Sequence, residues 1–241
     1  MPQRTTVGQL AQTYQQQPVL RALVNLLPGG GSLGELLIAR ADEIVRERLR
    51  VFFDELASGR MELTEELVQG EDSLHACLAT VRAASHTRPR DKIRLLARLL
   101  LGSVRGIDLS SIDEYEELLA SLDLASAREL ALLALLDTYN AGLPQNPGLD
   151  AQNAARAAFY SECRERLGIE RADVPSALAR IERTGFFKTE QVAGGEDGYT
   201  TMRYSDSLGF GELSPAYHRL KGIVGDLDRI LDPARGAGDE R

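Results

Sequence analysis

Three arginines, Arg90, Arg94 and Arg98, recur at intervals of four residues, which places them on one face of a helix. Guanidinium groups bind phosphate and carboxylate in a bidentate geometry, so this row is a candidate anion site for phosphate, a nucleotide or a nucleic-acid backbone. It belongs to a basic stretch, residues 80–105, with seven basic residues and one acidic residue. Residues 108–123 carry six acidic residues and no basic ones. Because adjacent elements usually pack together, we favour mutual neutralisation of the two stretches over a ligand site.

The other chemically active residues do not form a recognisable catalytic or metal-binding pattern. His75, Cys77 and His86 lack the paired spacing of a zinc site. Cys77 and Cys163 stand in unrelated contexts, which favours reduced thiols over a disulfide framework. The glycines before Ser32 lack the lysine and the preceding strand of a phosphate-binding loop, and no nucleophile-elbow serine is present. We therefore predict a protein that is not an enzyme and holds no metal or cofactor.

Composition favours a helical fold. Tryptophan is absent and aromatic residues make up only 5% of the chain, so Leu, Ala, Val and Ile must build the core. Leu and Ala favour helices, and 241 residues can bury a substantial core. The net charge of −8 opposes nonspecific attraction to nucleic acid or anionic lipid.

Capping signals and chain breakers define the helices that must position these side chains. Ser32 with Glu35, and Ser126 with Glu129, each form a predicted capping box at a helix start. Gly168 is a natural helix end. The predicted helices lie within residues 5–27, 32–57, 64–87, 91–102, 111–122, 126–139, 150–167, 174–184 and 214–231, with a break after Gly70 and a restart at Asp72 as an alternative. The leucine-rich helix at 91–102 must be packed on most sides.

Residues 159–204 resemble a winged-helix module. The matching string is Leu167-Gly168-Ile169, then Val174, then Leu178-Ala179-Arg180-Ile181-Glu182-Arg183-Thr184-Gly185-Phe186-Phe187, then a glycine-rich hairpin. Predicted strands at Phe186–Val192 and Tyr199–Tyr204 flank the hairpin loop Ala193–Gly198. The resemblance implies a small α+β module with a wing.

The same resemblance implies a recognition helix at Val174–Thr184. The candidate nucleic-acid contacts on that helix and on the wing are Arg180, Arg183, Lys188 and Arg203. The predicted wing, Val192–Glu212, has one arginine against four acidic residues, and such a wing repels phosphate. We therefore expect the module to make protein contacts or to dimerise, and nucleic-acid binding is disfavoured.

The N-terminal part carries a glycine-broken apolar hairpin with arms at Val19–Leu27 and Leu33–Ala39. Each arm is too short to span a bilayer, which excludes a single-pass anchor here. Burial in the core is favoured over an oligomer surface, and membrane contact is the weakest reading. Residues Met1–Gln17 are polar and unlike a secretory signal, so we expect a cytoplasmic protein.

The first 120 residues are similar in layout to helical proteins of bacterial phage-exclusion and defence loci. That layout is a helical hairpin, an arginine-bearing helix, a leucine-rich helix and an acidic helix, and the high use of Arg, Ala, Leu and Gly favours a bacterial source. The resemblance implies a bacterial stress or phage-defence context.

These observations predict a mainly α protein with two domains: a multi-helix bundle at residues 1–125, and a winged-helix-like module with one β-hairpin and a C-terminal helix at residues 126–241. We predict a non-catalytic interaction or regulatory protein that contacts a protein partner or a second copy of itself. A DNA-binding transcriptional regulator and a membrane-acting helical effector are the alternatives.

Overall fold

A computed structural model describes residues 32–59, 70–104, 111–144, 147–189, 208–225 and 227, with side chains from residue 39 onward. The chain divides into two compact units, Met1–Glu116 and Glu117–Arg241. The domain division predicted after residue 125 stays a prediction. The predicted helix at 5–27, the apolar arm Val19–Leu27 and the helix start at Thr64 lie outside the described residues.

The described chain is mainly helical, as the composition predicted. Its α-helices are α1 (Ser32–Ser58), α2 (Glu71–His86), α3 (Arg90–Val104), α4 (Ile112–Leu124), α5 (Ala127–Ala141), α6 (Leu149–Leu167), α7 (Val174–Glu182) and α8 (Pro215–Val224). A 3-10 turn at Arg171–Asp173 precedes α7, and two short strands, β1 (Phe187–Thr189) and β2 (Gly211–Leu213), complete the fold. Within the described ranges, no helix has the length and apolar character to cross a bilayer.

In the first unit, α1, α2 and α3 pack against one another. Arg90 pairs with Glu47 and, eight residues further along both helices, Arg98 pairs with Glu55. Because both pairs advance in the same direction, α1 and α3 run parallel. The leucine-rich α3 is buried on most sides, as predicted, and Phe52 of α1 is fully buried. α2 begins at Glu71, directly after Gly70.

In the second unit, local signals mark the helix ends correctly. Ser126 and Glu129 form the predicted capping box of α5. Gly168 ends α6 in the left-handed conformation at φ 58°, where an L side chain would be strained. Phe159, Ile181 and Phe186 are fully buried in this unit.

The first predicted strand pairs with a strand that the sequence did not predict. Within the described residues, β1 covers Phe187–Thr189 of the predicted strand Phe186–Val192, and it pairs antiparallel with β2, with Phe187 opposite Leu213 and Thr189 opposite Gly211. The predicted second strand, Tyr199–Tyr204, and its loop lie outside the described residues. β2 was not predicted, because its three residues include a glycine and show no alternating apolar pattern.

Candidate anion-binding groove

A groove of about 600 Å³ lies in the first unit, beside α1 and the first residues of α3. Arginines dominate its lining, together with two glutamates and three apolar side chains. The lining residues are Arg40, Arg46, Arg48, Arg50, Arg88, Arg90, Glu43, Glu47, Ile44, Val51 and Ile93. We call this feature the arginine groove. Its lining holds more positive than negative side chains, although the whole chain is acidic.

α1 presents most of the groove because its apolar residues turn the opposite way. Leu49, Phe52 and Phe53 are buried in the unit. Arg46 and Arg50, which are four residues apart, are exposed and line the groove. The amphipathic pattern that anchors α1 therefore also sets the direction of its arginines.

The link between α2 and α3 places Arg88 at the groove. Thr87 is buried, and its hydroxyl donates a hydrogen bond to the Ala83 carbonyl at 2.9 Å. Pro89 directly precedes α3, and its carbonyl accepts a hydrogen bond from the Ile93 amide at 3.2 Å. Both neighbours of Arg88 are thus held by helix ends, and the Arg88 side chain between them is exposed.

Arg48 bridges α1 and the end of α2. Its Nη1 donates a hydrogen bond to the Ser85 carbonyl at 2.8 Å, in the last turn of α2. The carbonyl end of a helix favours a cation. Burial lowers the pKa of Arg48, and the nearby charge of Arg88 lowers it further. The two guanidinium groups therefore repel each other.

The arginines of the groove fall into two classes, those that form an ion pair with a glutamate and those that do not. Arg40, Arg50 and Arg90 belong to the first class. Arg40 pairs with Glu43 at 2.5 Å, and Glu47 is shared by Arg50 at 3.2 Å and Arg90 at 3.0 Å.

Arg46, Arg48 and Arg88 form the other class. Among the residues that the structure describes, no carboxylate lies within ion-pair distance of these three side chains. The groove therefore carries positive charge that the described fold does not neutralise.

The predicted row Arg90, Arg94 and Arg98 is only partly in the groove. Arg90 lines it, whereas Arg98 Nε lies 2.6 Å from Glu55 and Arg94 Nη1 lies 3.1 Å from Asp91. The described acids at these arginines, Glu47, Glu55 and Asp91, lie in α1 and α3, and neutralisation by the acidic stretch 108–123 stays a prediction. α1 runs parallel to α3, which brings Glu47 and Glu55 to the row.

Sequence reasoning missed Arg46, Arg48 and Arg88 as candidate site residues. The arginines of α1 matched the pattern of a solvated charged face, and Arg88 was counted within the basic stretch. A usable signal was present, because residues 46–50 hold three arginines and one glutamate. That local excess is unusual for a face built from mutually compensating charges.

The described residues predicted to contact nucleic acid lie in the second unit, outside the arginine groove. Arg180 lies 3.6 Å from Glu129, and Lys188 stands opposite Glu212 in the two-stranded ladder. Arg183 is exposed, and Arg203 lies outside the described residues. Acidic neighbours thus accompany two of the predicted nucleic-acid contacts.

The thiols and histidines do not assemble into a reactive centre in the described part of the chain. No group of three or more His, Cys, Asp or Glu side chains there could hold a metal ion. His75 Nε2 lies 2.8 Å from Glu116 Oε1. Burial raises the pKa of the fully buried Cys163 to about 12 and also raises the pKa of Cys77, so both thiols are poor nucleophiles near neutral pH.

Comparisons with known proteins do not supply a function. No protein-family model matches the chain, and no curated protein or solved structure shows significant similarity to it. Function is therefore inferred from the charges and contacts of the chain itself.

Proposed function

We propose that the protein is a non-catalytic interaction or regulatory protein that recognises an anionic partner through the arginine groove. The observation that carries the proposal is the presence of three arginines, Arg46, Arg48 and Arg88, without a carboxylate partner in the described structure. They line one concave surface, which is the shape of a binding site rather than of a solvated helix face.

Binding an anion in the groove is favourable for a specific electrostatic reason. An anion between Arg48 and Arg88 replaces their mutual repulsion with two attractive contacts. Charge-assisted hydrogen bonds of this kind contribute about 1.5–3 kcal/mol each. The positive end of the α3 dipole lies at the same place, because Arg90, the first residue of α3, lines the groove.

The C-terminal segment, which resembles a winged-helix module, serves in this proposal as a docking or dimerisation unit. The acids beside Arg180 and Lys188 support protein contact over phosphate contact. A DNA-binding regulator is the second candidate, and the exposure of Arg183, directly after α7, favours it. The layout of the first 120 residues supports a regulatory role in the bacterial cytoplasm, in a stress or phage-defence context.

The test compares two charge-reversed variants of the full chain. One carries Arg46→Glu, Arg48→Glu and Arg88→Glu, and the other carries Arg180→Glu, Arg183→Glu and Lys188→Glu. Binding of ATP, heparin, an aspartate-rich peptide and duplex DNA is measured for both variants and the natural protein by titration calorimetry. We expect the groove variant to lose about a hundred-fold or more in affinity for at least one probe, and the module variant to retain it.

Two outcomes contradict the proposal. If no anion binds the natural protein, the groove is not a recognition site. If the module variant alone loses binding of duplex DNA, the DNA-binding regulator replaces it. Because Arg48 also bonds to α2, a second variant with Arg46→Gln and Arg88→Gln changes only exposed side chains and keeps the test valid if the triple variant unfolds.

A further inference from the structure

We infer that the anion recognised by the arginine groove is a small organic phosphate of nucleotide size that carries more than one phosphate group. The inference rests on the proposed function and specifies its ligand class. Size, the extent of the positive charge and the apolar part of the lining lead to it independently.

The volume of the groove suits a small molecule. At about 600 Å³ it lies in the middle of the usual range for cofactor and metabolite sites, roughly 300–1,000 Å³. A nucleoside polyphosphate fits such a volume. An extended peptide or a nucleic-acid duplex is longer than the groove. Only part of it would lie in the groove, and the rest would need further binding surface outside.

The positive charge of the groove does not continue along the described part of α3. A polyanion such as DNA needs a track of cations that follows successive phosphates. The arginines that would extend the track along α3 are Arg94 and Arg98, and both lie beside Glu55. The net charge of −8 also opposes attraction of a long polyanion to the chain as a whole. A compact anion avoids this cost.

The lining combines guanidinium groups with apolar side chains. Ile44 is 37% exposed at the groove, and Val51 lines the groove two turns further along α1. An inorganic anion would leave this apolar surface in water, whereas the base or other apolar body of an organic phosphate covers it. Guanidinium planes also stack on flat rings, so arginine serves both parts of a nucleotide.

The number of unpartnered arginines sets the number of phosphates. Arg48 and Arg88 repel each other, so a ligand with one phosphate satisfies them less well than a diphosphate or a triphosphate. Arg46 supplies a third cation on the same helix as Arg48. We therefore expect affinity to rise with each phosphate, and a nucleoside without phosphate not to bind.

The experiment titrates the full-length protein with adenosine, AMP, ADP, ATP, GTP and inorganic tripolyphosphate in metal-free buffer. An aspartate-rich peptide, heparin and a duplex of about 20 base pairs serve as larger anions. We expect ATP and GTP to bind with similar affinity, ADP and AMP progressively more weakly, and adenosine not at all. Tripolyphosphate should bind several-fold more weakly than ATP because it leaves Ile44 uncovered.

Variants assign the binding to the groove. Arg88→Gln should weaken ATP about ten-fold, and Arg46→Gln with Arg88→Gln about a hundred-fold, as expected for the loss of one and two charge-assisted contacts. Ile44→Ala should weaken ATP a few-fold and leave tripolyphosphate unchanged. The matched control is Arg164→Gln with Arg171→Gln, two exposed arginines of the second unit, which should leave ATP binding unchanged.

The outcomes separate this inference from the proposed function. If heparin, the peptide or the duplex binds through the groove while no nucleotide does, the inference is overturned and the proposed function stands. If tripolyphosphate binds as tightly as ATP, the organic body is irrelevant and the inference is overturned. If no anion binds, both fail.

Discussion

The arginine groove and the second unit are both rich in cations, but they use them differently. In the second unit, Arg128 Nε donates to the Leu167 carbonyl at 2.8 Å, where α6 ends, and Lys221 pairs with Asp137 at 2.6 Å. Arg156 donates to the Leu208 carbonyl through Nε at 3.1 Å and Nη2 at 2.7 Å. These cations hold helix ends and loops in place.

In the groove, Arg46 and Arg88 make no such hydrogen bond or ion pair in the described structure, and Arg48 makes one hydrogen bond, to the Ser85 carbonyl. The comparison shows that the number of basic residues in a segment is a weak guide to a binding site. The better guide is the balance between cations and the acceptors that the fold supplies. Where acceptors are too few, the missing negative charge must come from solvent ions or from a ligand.

The largest expected effect comes from removing one buried aromatic side chain from the core of each unit. Phe52→Ala and Phe186→Ala each delete a fully buried side chain and should lower the free energy of unfolding by about 3–5 kcal/mol. Because Phe52 anchors α1, its loss should also abolish ATP binding, whereas Phe186→Ala should leave ATP affinity unchanged. Urea denaturation and calorimetry measure the two effects. Loss of ATP binding in both variants would mean that the groove depends on the second unit.

A second test uses alkaline pH. The folded-state pKa of Cys163 is raised from 9.0 to about 12 by burial. The stabilisation linked to a raised pKa is fully present below about pH 9 and is lost as pH rises toward 12. Melting temperatures measured from pH 8 to 12 should fall less steeply for Cys163→Ala than for the natural protein. An equal slope would show that the thiol does not ionise on unfolding.

A third test compares the two kinds of arginine by stability. Arg128→Ala removes the donor to the carbonyls of Leu167 and Gly168, so the melting temperature should fall by a few degrees. Arg88→Ala removes a repulsive neighbour of Arg48, so the melting temperature should stay the same or rise slightly. Thermal denaturation in low salt measures both. A clear loss of stability in Arg88→Ala would indicate that Arg88 has a structural partner.

The smallest expected effect concerns the acids around the groove. Glu47→Gln frees Arg50 and Arg90 and should tighten ATP binding a few-fold, because the net positive charge at the site increases. Glu55 lies beside Arg94 and Arg98. Glu55→Gln should therefore change ATP affinity by less than Glu47→Gln does. Equal effects of the two variants on ATP titration would argue that the groove extends along α3.

Local signals predicted the helices well. The capping box at Ser126 and the left-handed helix end at Gly168 each depend on residues that are close in sequence. A short stretch of sequence is therefore enough to predict these helix ends. The end of α1 near Gly59 is of the same kind.

The groove and β2 were not predicted because they depend on residues that are distant in sequence. Arg88 becomes a site residue only when Arg48 approaches it, and β2 becomes a strand only beside β1. Likewise, Arg98 and Glu55 are 43 residues apart, which no helical periodicity can reveal.

The three-residue link Thr87–Pro89 has a consequence for how this protein can vary in evolution. An inserted or deleted residue there would change the position of Arg88 between Thr87 and Pro89, whose backbone hydrogen bonds belong to the two helix ends. That single event would move Arg88 away from Arg48 and from the groove. In any lineage that keeps the groove, the length of this link should therefore be invariant, even where its side chains change.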